Sequence, residues 1–248
     1  MRSPVWPTAM QVSRALVRLL GRFEVTGVVA RGEKPLIVAS NHISPFDPIV
    51  LTAACREVGL DPAFLAHDGP FRTPVLGAFL RHSGHIRVDR GTAEAPLALL
   101  GAQQALAAGR TVVIYPEGRI SRDPGLWPER GKSGVGRLVL ATGAPVIPVA
   151  VWGAHEMVPY DAPRGLMRFL WRDLTTRPTV KVHFGPPVDL SGVDPGKTGA
   201  AQRITDRITD AIIDCLAPLR VGEPDHPRFV DPSRETETRR SYKRKTLS

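Results

Sequence analysis

The spacing of apolar residues changes along this chain, and each change marks an element. Residues 10–22, MQVSRALVRLLGR, place Val12, Leu16 and Leu19 at i, i+4 and i+7, the interval of one helix face. Arg14, Arg18 and Arg22 recur every four residues on another face. An amphipathic helix with a cationic side fits an anionic bilayer, and equally an ordinary surface helix packed on its own domain. Two β-like runs follow at 25–30 and 36–40, with Arg31-Gly32-Glu33-Lys34-Pro35 as a turn between them. Helical patterns cover 48–58, 93–108 up to Gly109, 134–142 up to Gly143, and 198–217. In the last of these, Ile204, Ile208, Ile212 and Cys215 share roughly one face. Strand-like runs lie at 63–66, 85–88, 111–115 (closed by Pro116), 146–151 and 179–184. Strands alternating with helices predict a single α/β domain with a mixed, largely parallel sheet flanked by helices.

Composition narrows the class. Hydrophobic residues at 42% and charged residues at 23% of 248 exclude a wholly disordered chain. The 33 basic residues outnumber the 24 acidic ones, giving +9, so an anionic partner is expected. The excess sits at the ends. Arg2, Arg14, Arg18 and Arg22 stand without a carboxylate in 1–23, and Arg239, Arg240, Lys243, Arg244 and Lys245 without one in 239–248. Cys55 and Cys215 are far apart and form no C-x-x-C, which argues against a disulfide framework and for a reducing compartment. The longest uncharged run, 138–155, is broken by Gly143-Ala144-Pro145, so no transmembrane span is expected. Arg14 and Arg18 interrupt the apolar stretch after Met10, so no cleavable signal peptide is expected either.

The chemistry concentrates after the second β-like run, in Ser40-Asn41-His42-Ile43-Ser44-Pro45-Phe46-Asp47-Pro48. His42 and Asp47 would point apart on a regular helix, but Pro45 and Pro48 favour a bent turn that can fold the carboxylate back onto the imidazole. That pair makes a neutral base of fixed tautomer, able to take a proton from a hydroxyl. A Walker-type reading of Gly131-Lys132-Ser133 fails because Leu126 stands where a glycine is needed. His82 and His85 have no matching carboxylate or cysteine, and His67, His155 and His183 read as core or surface histidines, so no metal site is assigned.

At these residues the chain resembles the glycerolipid acyltransferase family. Its N-H-x4-D block is matched by Asn41, His42 and Asp47, and its second block by Gly84-His85-Ile86-Arg87-Val88-Asp89-Arg90. Its third, F-P-E-G-T-R-S, appears as Tyr115-Pro116-Glu117-Gly118-Arg119-Ile120-Ser121, and its fourth as Val146-Ile147-Pro148-Val149. The family's third-block Arg falls on Ile120, with Arg119 one place early and Arg122 two late. The resemblance spans roughly residues 24–190, within an acyltransferase domain expected over 24–220; the apolar and basic pattern sets an amphipathic segment 1–23 before it, and the shift in composition a polar, basic tail 221–248 expected to be disordered. It implies transfer of a fatty acyl group from acyl-CoA or acyl-carrier protein to the hydroxyl of a lysophosphatidic acid-like glycerophosphate, without a further cofactor. His42 would be the general base and Asp47 its support, and Glu117 and Gly118 would face the acceptor, with Arg119 or Arg122 reaching the anion in place of the missing third-block Arg. Arg90 and Lys132 would meet its phosphate, helped by the helix start after Ser133. Oxyanion donors are expected among backbone N–H groups of the turn and the helix start. The expected location is peripheral, on the cytoplasmic side of an anionic membrane.

Other classes remain in view. Another lysophospholipid or glycerol 3-phosphate is an alternative acceptor, and a thioester hydrolase would use the same His–Asp pair on water. A catalytically silent membrane scaffold is opposed by the intact pair. Nucleic-acid binding is not expected, because the basic ends lack aromatic interleaving and the core is nearly neutral.

Overall fold

The computed structural model describes residues 5–29, 35–88, 95–158, 160, 166–223 and 227–243. The first elements are α1 (Val5–Leu20), β1 (Arg22–Gly27), β2 (Ile37–Ser40), α2 (Asp47–Glu57) and β3 (Pro62–His67). Next come α3 (Asp68–Arg72), α4 (Pro74–His82), β4 (Ile86–Val88), α5 (Ala95–Ala107) and β5 (Thr111–Ile114). The chain continues through α6 (Gly134–Thr142), β6 (Val146–Trp152), α7 (Ala154–Met157), α8 (Leu166–Thr176), β7 (Thr179–Phe184) and α9 (Ala200–Leu219).

Seven strands form one sheet in the order β1-β7-β6-β2-β5-β3-β4. Every neighbouring pair is parallel except β6 and β7. The fold is therefore the single α/β domain with a mixed, largely parallel sheet that the alternation of elements predicts. The central strands are buried on both faces, which is why β6 reads as an unbroken apolar run. Period-2 geometry divides their side chains. Val38, Val113 and Ile147 join the cluster that includes residues of α1 and α2, while Ile37, Ala39, Val112 and Val146 join the one with α5, α6 and α9. Gly136 lets α6 and α9 cross closely, since a Cβ there would lie 1.9 Å from the Ala201 carbonyl oxygen.

Two expectations change. Helix α1 is described from Val5, five residues ahead of the expected start, and it is Trp6, Met10, Val17 and Leu20 that turn into the core, leaving Val12 and Leu19 on the outer side. Val12 and Leu19 are exposed, and Leu16 is half-buried. The extra turn at the front brings Trp6 and Met10 into register with Val17 and Leu20, and that stripe packs on the core with α2. On the basic side, Arg14 and Arg18 both reach Glu57 of α2, at 2.6 and 2.7 Å.

The polar tail is not loose over its described part. Residues 227–243 lie along the domain as a strap. Its contacts include Tyr160 N–H to Asp231 (2.6 Å), Glu237 N–H to the Arg122 carbonyl (2.7 Å) and Arg130 N–H to the Arg240 carbonyl (2.7 Å). Backbone hydrogen bonds and ion pairs hold it, which composition does not register.

Candidate active site

Strands β2 and β5 are parallel neighbours, so the loops leaving their carboxyl ends emerge on the same edge of the sheet. The loop after β2 starts with a tether. The Asn41 amide donates to the Val151 carbonyl (2.9 Å) and accepts from its N–H (2.8 Å), continuing the β2–β6 pairing through a side chain. His42 follows, its side chain 15% exposed.

The chain then turns at Ser44-Pro45-Phe46 and enters α2 at Asp47. This folds the carboxylate back, as the two prolines suggest. Nδ1 of His42 lies 2.8 Å from Oδ2 of Asp47, and the same oxygen accepts the N–H groups of Ile43 (2.6 Å) and Ser44 (2.8 Å). Asp47 is completely buried. A carboxylate acceptor at Nδ1 fixes the proton there and leaves Nε2 with the lone pair.

The loop after β5 supplies the neighbours. The Tyr115 ring stacks on the imidazole, with centroids 4.1 Å apart and planes 16° from parallel. Burial, with Asp47 and Cys55 nearby, keeps the Tyr115 phenol well above its usual range and therefore neutral. Glu117 is buried and joins two loops, accepting the N–H groups of His42 (3.0 Å) and Glu129 (2.9 Å). Burial pushes its carboxyl up to about 8, against the pull of those two donors. Gly118 has φ of +69°, and the Lys132 side chain lies against it. The Ser121 N–H closes the arrangement onto the His42 carbonyl, at 2.7 Å.

His42 and Tyr115 line a cavity of about 940 Å³. Its wall is mainly apolar, including Trp6, Phe64, Phe79 and Leu138, and Lys132 and Arg137 bring positive charge to it. The beginning of α6, at Gly134 and Val135, also borders it. His85, from the second block, lines it as a neutral ring, because burial and the nearby Arg110 lower its pKa to about 4.

The sequence-expected residues thus fall into separate groups. His42, Gly118 and Lys132 border the cavity, with Asp47 directly behind His42. Glu117 sits between loops and is not among the cavity-lining residues. Arg119 does not line the cavity either. It forks onto the buried Glu129 at 2.7 and 2.8 Å and reaches Glu237 of the strap at 2.9 Å. Arg122 pairs with Glu235 at 3.1 Å. Arg90 lies outside the described residues. The N–H groups of His42, Ile43 and Ser44 are taken by Glu117 and Asp47, so the turn expected to hold oxyanion donors has spent these three.

Sequence reasoning missed Arg137, the Tyr115 stacking, and the contacts made by Arg234 and Arg240. Arg137 was legible as a residue one turn into α6 beside Lys132. The strap contacts join residues more than a hundred positions apart and leave no local signal.

Comparison with known proteins bears on the family and the fold. The chain is 27% identical to tafazzin of Drosophila melanogaster over 198 residues, 74% of this chain and 50% of that protein. It is 29% identical to the N-acylphosphatidylethanolamine synthase of Arabidopsis thaliana over 166 residues, 63% of this chain and 56% of that one. The chain therefore spans about half the length of these curated relatives. Its fold is similar to the crystal structure of the 1-acyl-sn-glycerophosphate (LPA) acyltransferase PlsC from Thermotoga maritima. The TM-score is 0.62 at 21% identity, covering 85% of this chain and 79% of that one. The Acyltransferase family model matches residues 22–152, just over half of the chain and the whole stretch from β1 through β6. The chain belongs to the Acyltransferase family.

Proposed function

We propose that this protein transfers a fatty acyl group from acyl-CoA or acyl-carrier protein to the free hydroxyl of a lysophosphatidic acid-like glycerophosphate. The observation that carries the proposal is an imidazole backed by a buried carboxylate and opening into a large, mostly apolar cavity. Nε2 of His42 takes the hydroxyl proton as that oxygen attacks the thioester carbonyl. The Asp47 charge stabilises the imidazolium, the tetrahedral intermediate collapses, and the departing thiolate takes up the proton. No acyl-enzyme and no metal are required by this route. The cavity volume, about 940 Å³, is at the upper end for small-molecule sites and suits a long aliphatic chain.

Lys132, Arg137 and the start of α6 form the cationic side of the cavity and are the proposed seat of the acceptor phosphate. Arg90 is kept as a further acceptor ligand on the strength of the second sequence block. Arg119 is better read as the counter-ion of the buried Glu129, and Glu117 as the clamp between the two loops.

The proposed surroundings are the face of an anionic membrane, on its cytoplasmic side. No helix among the described residues is long and apolar enough to cross a membrane. Two helices present uncovered apolar stripes: Val5, Val12 and Leu19 on α1, and Met167, Trp171 and Leu174 on α8, with Arg168 exposed beside the latter. Exposed tryptophan beside arginine suits the boundary between headgroups and acyl chains.

The test is acyl transfer from radiolabelled acyl-CoA and acyl-carrier protein to a panel containing lysophosphatidic acid, other lysophospholipids, glycerol 3-phosphate and phosphatidylethanolamine, with lipid products resolved. Acceptor-dependent CoA release that His42→Ala reduces by about 10²–10⁴-fold supports the reading. CoA release that needs no acceptor assigns the pair to hydrolysis instead, and full turnover by a folded His42→Ala protein overturns the mechanism.

A further inference from the structure

The strap reaches the site through two arginines. Arg240 donates from Nη2 to the carbonyls of Glu117 (2.9 Å) and Arg130 (3.0 Å). Arg234 goes further in. Its Nη1 donates to the Ser121 carbonyl at 2.6 Å, and its Nη2 donates to the Ile43 carbonyl. Ile43 and Ser121 are both completely buried.

Ile43 is the residue between the imidazole and the turn, and its own N–H is one of the three donors on Asp47. Ser121 ends the Tyr115–Ser121 block and binds the His42 carbonyl through its N–H. One planar guanidinium therefore spans the loop that bears the His–Asp pair and the loop that bears Tyr115 and Glu117. Its fork geometry serves both carbonyls at once, which an ammonium cannot do equally well. The Tyr160 ring lies under the guanidinium at 5.3 Å. The strap is itself fixed just upstream, where Asp231 accepts the N–H of Tyr160 and both the N–H and hydroxyl of Ser233.

Without Arg234, two buried carbonyls lose a charged donor, and the loop carrying the imidazole loses a direct tie to the Tyr115–Ser121 loop. The Ser121–His42 backbone bond and the Glu117 clamp remain, so the fold has other supports. The change should appear in the aim of the imidazole more than in global stability. Displacements of about an ångström at a reacting group cost on the order of 100-fold in rate.

We infer that Arg234, delivered from the C-terminal strap, is a positioning residue for the His42–Asp47 pair and acts by clamping the Ile43 and Ser121 carbonyls. As a statement about catalysis this rests on the acyl-transfer reading, so the test has one readout that depends on turnover and one that does not.

The first readout compares wild type with Arg234→Ala, Arg234→Lys and, as a charge control elsewhere on the strap, Arg239→Ala. Arg234→Ala should lower kcat about 100-fold with acceptor and donor KM nearly unchanged. Arg234→Lys should fall between, and Arg239→Ala should match wild type. Millimolar guanidinium ion should restore part of the Arg234→Ala activity, which a generally weakened fold would not show. The second readout is amide hydrogen exchange. Ile43 and Ser44 should exchange faster in Arg234→Ala, while β6 keeps wild-type protection.

If Arg234→Ala does not fold, Arg234→Lys and Arg234→Gln carry both measurements. Wild type inactive on every acceptor would remove the acyl-transfer reading and leave the clamp to be judged by exchange at 43–44. An active wild type with kcat and exchange both unchanged in the variants would overturn the clamp. A rise in KM at constant kcat would also overturn it, because Arg234 would then be binding substrate.

Discussion

Asp47→Asn isolates the charge of one buried carboxylate while nearly preserving its shape. In the structure one oxygen, Oδ2, receives all three donors: Nδ1 of His42 and the N–H groups of Ile43 and Ser44. An asparagine that places its carbonyl oxygen there keeps the three contacts and the turn. Its amide nitrogen then occupies the place of Oδ1, a buried atom with no hydrogen-bond partner among the described residues. Two unpaired N–H donors in that place would cost about 1–3 kcal/mol of stability. The lost charge acts on the reaction. An ion pair about 4 Å apart at an effective dielectric constant near 20 is worth about 4 kcal/mol, and that interaction exists only once the imidazole has accepted a proton. The ground state loses little and the transition state loses most of it, so kcat should fall by about 10³ with KM nearly constant. The assay is initial-rate thiol release from acyl-CoA across acceptor concentrations, with folding followed by thermal melting. A folded Asp47→Asn protein with kcat within a few-fold of wild type would refute the charge argument. A rise confined to acceptor KM would make Asp47 a binding residue.

Lys132→Ala and Arg137→Ala should each raise KM for a phosphate-bearing acceptor about tenfold and leave a neutral monoacylglycerol unaffected; equal effects on both would show that no phosphate is read there. Sedimentation with phosphatidylglycerol vesicles should weaken at high salt and fall most for Trp171→Glu and for Val12→Glu combined with Leu19→Glu, whereas unchanged binding would remove these stripes as the contact. Substitution serves better than deletion of 1–22, which would also strip Trp6, Met10, Val17 and Leu20 from the core. Stability should peak near pH 6.5, between two flanks of different origin. His85 and His155 are lowered to about 4 and about 3, mainly by burial, so the unfolded chain binds their protons first and stability is lost as pH falls below about 6.5. Glu117, raised to about 8, keeps a proton that the unfolded chain releases near 4.5, so its contribution declines as pH rises between those values, by up to about 1.4 kcal/mol per pH unit. Urea midpoints from pH 4 to 9 should show both flanks, Glu117→Gln should flatten the decline between about pH 6.5 and 8, and an unaltered slope there in that variant would contradict the burial argument.

Much of the fold was legible because the central strands are bounded apolar runs between turn residues. The residues of β2, β5, β6 and β7 declare themselves, and Gly109 and Gly143 mark the ends of the helical patterns before β5 and β6. Strand β1 was placed three residues late because Val28 and Val29 continue the apolar run. The strand stops earlier, at Gly27 with φ of +84°, where a Cβ would meet the Phe184 carbonyl oxygen at 1.9 Å. Helices α3 and α7 span only five and four residues, too short for a helical period to show. Helix α8 turns Met167, Trp171 and Leu174 to the outside, so its apolar stripe does not report a core. The His42–Asp47 pair was legible because two prolines enforce the turn. The strap was not, since its anchoring depends on backbone carbonyls supplied by distant loops.

The distribution of charge around the pair gives the arrangement its chemical sense. Asp47, Glu117 and Glu129 are all essentially buried, yet they are held differently. Glu129 takes the Arg119 fork, with Arg240 at 3.7 Å, so cations offset its charge directly. Glu117 has two backbone N–H groups and a carboxyl pushed toward neutrality. Asp47 is held by two backbone N–H groups and the imidazole itself, with Arg234 bonded to nearby carbonyls instead of the carboxylate. A cation bonded to Asp47 would compete with the imidazolium for its charge and weaken the base. Neutral donors stabilise the carboxylate without cancelling it, so in the proposed mechanism that charge would remain available at Nδ1 when a hydroxyl proton reaches Nε2. The same buried acids therefore divide between two ends: Glu117 and Glu129 secure the loops, and Asp47 is the one whose charge the proposed acyl transfer would use.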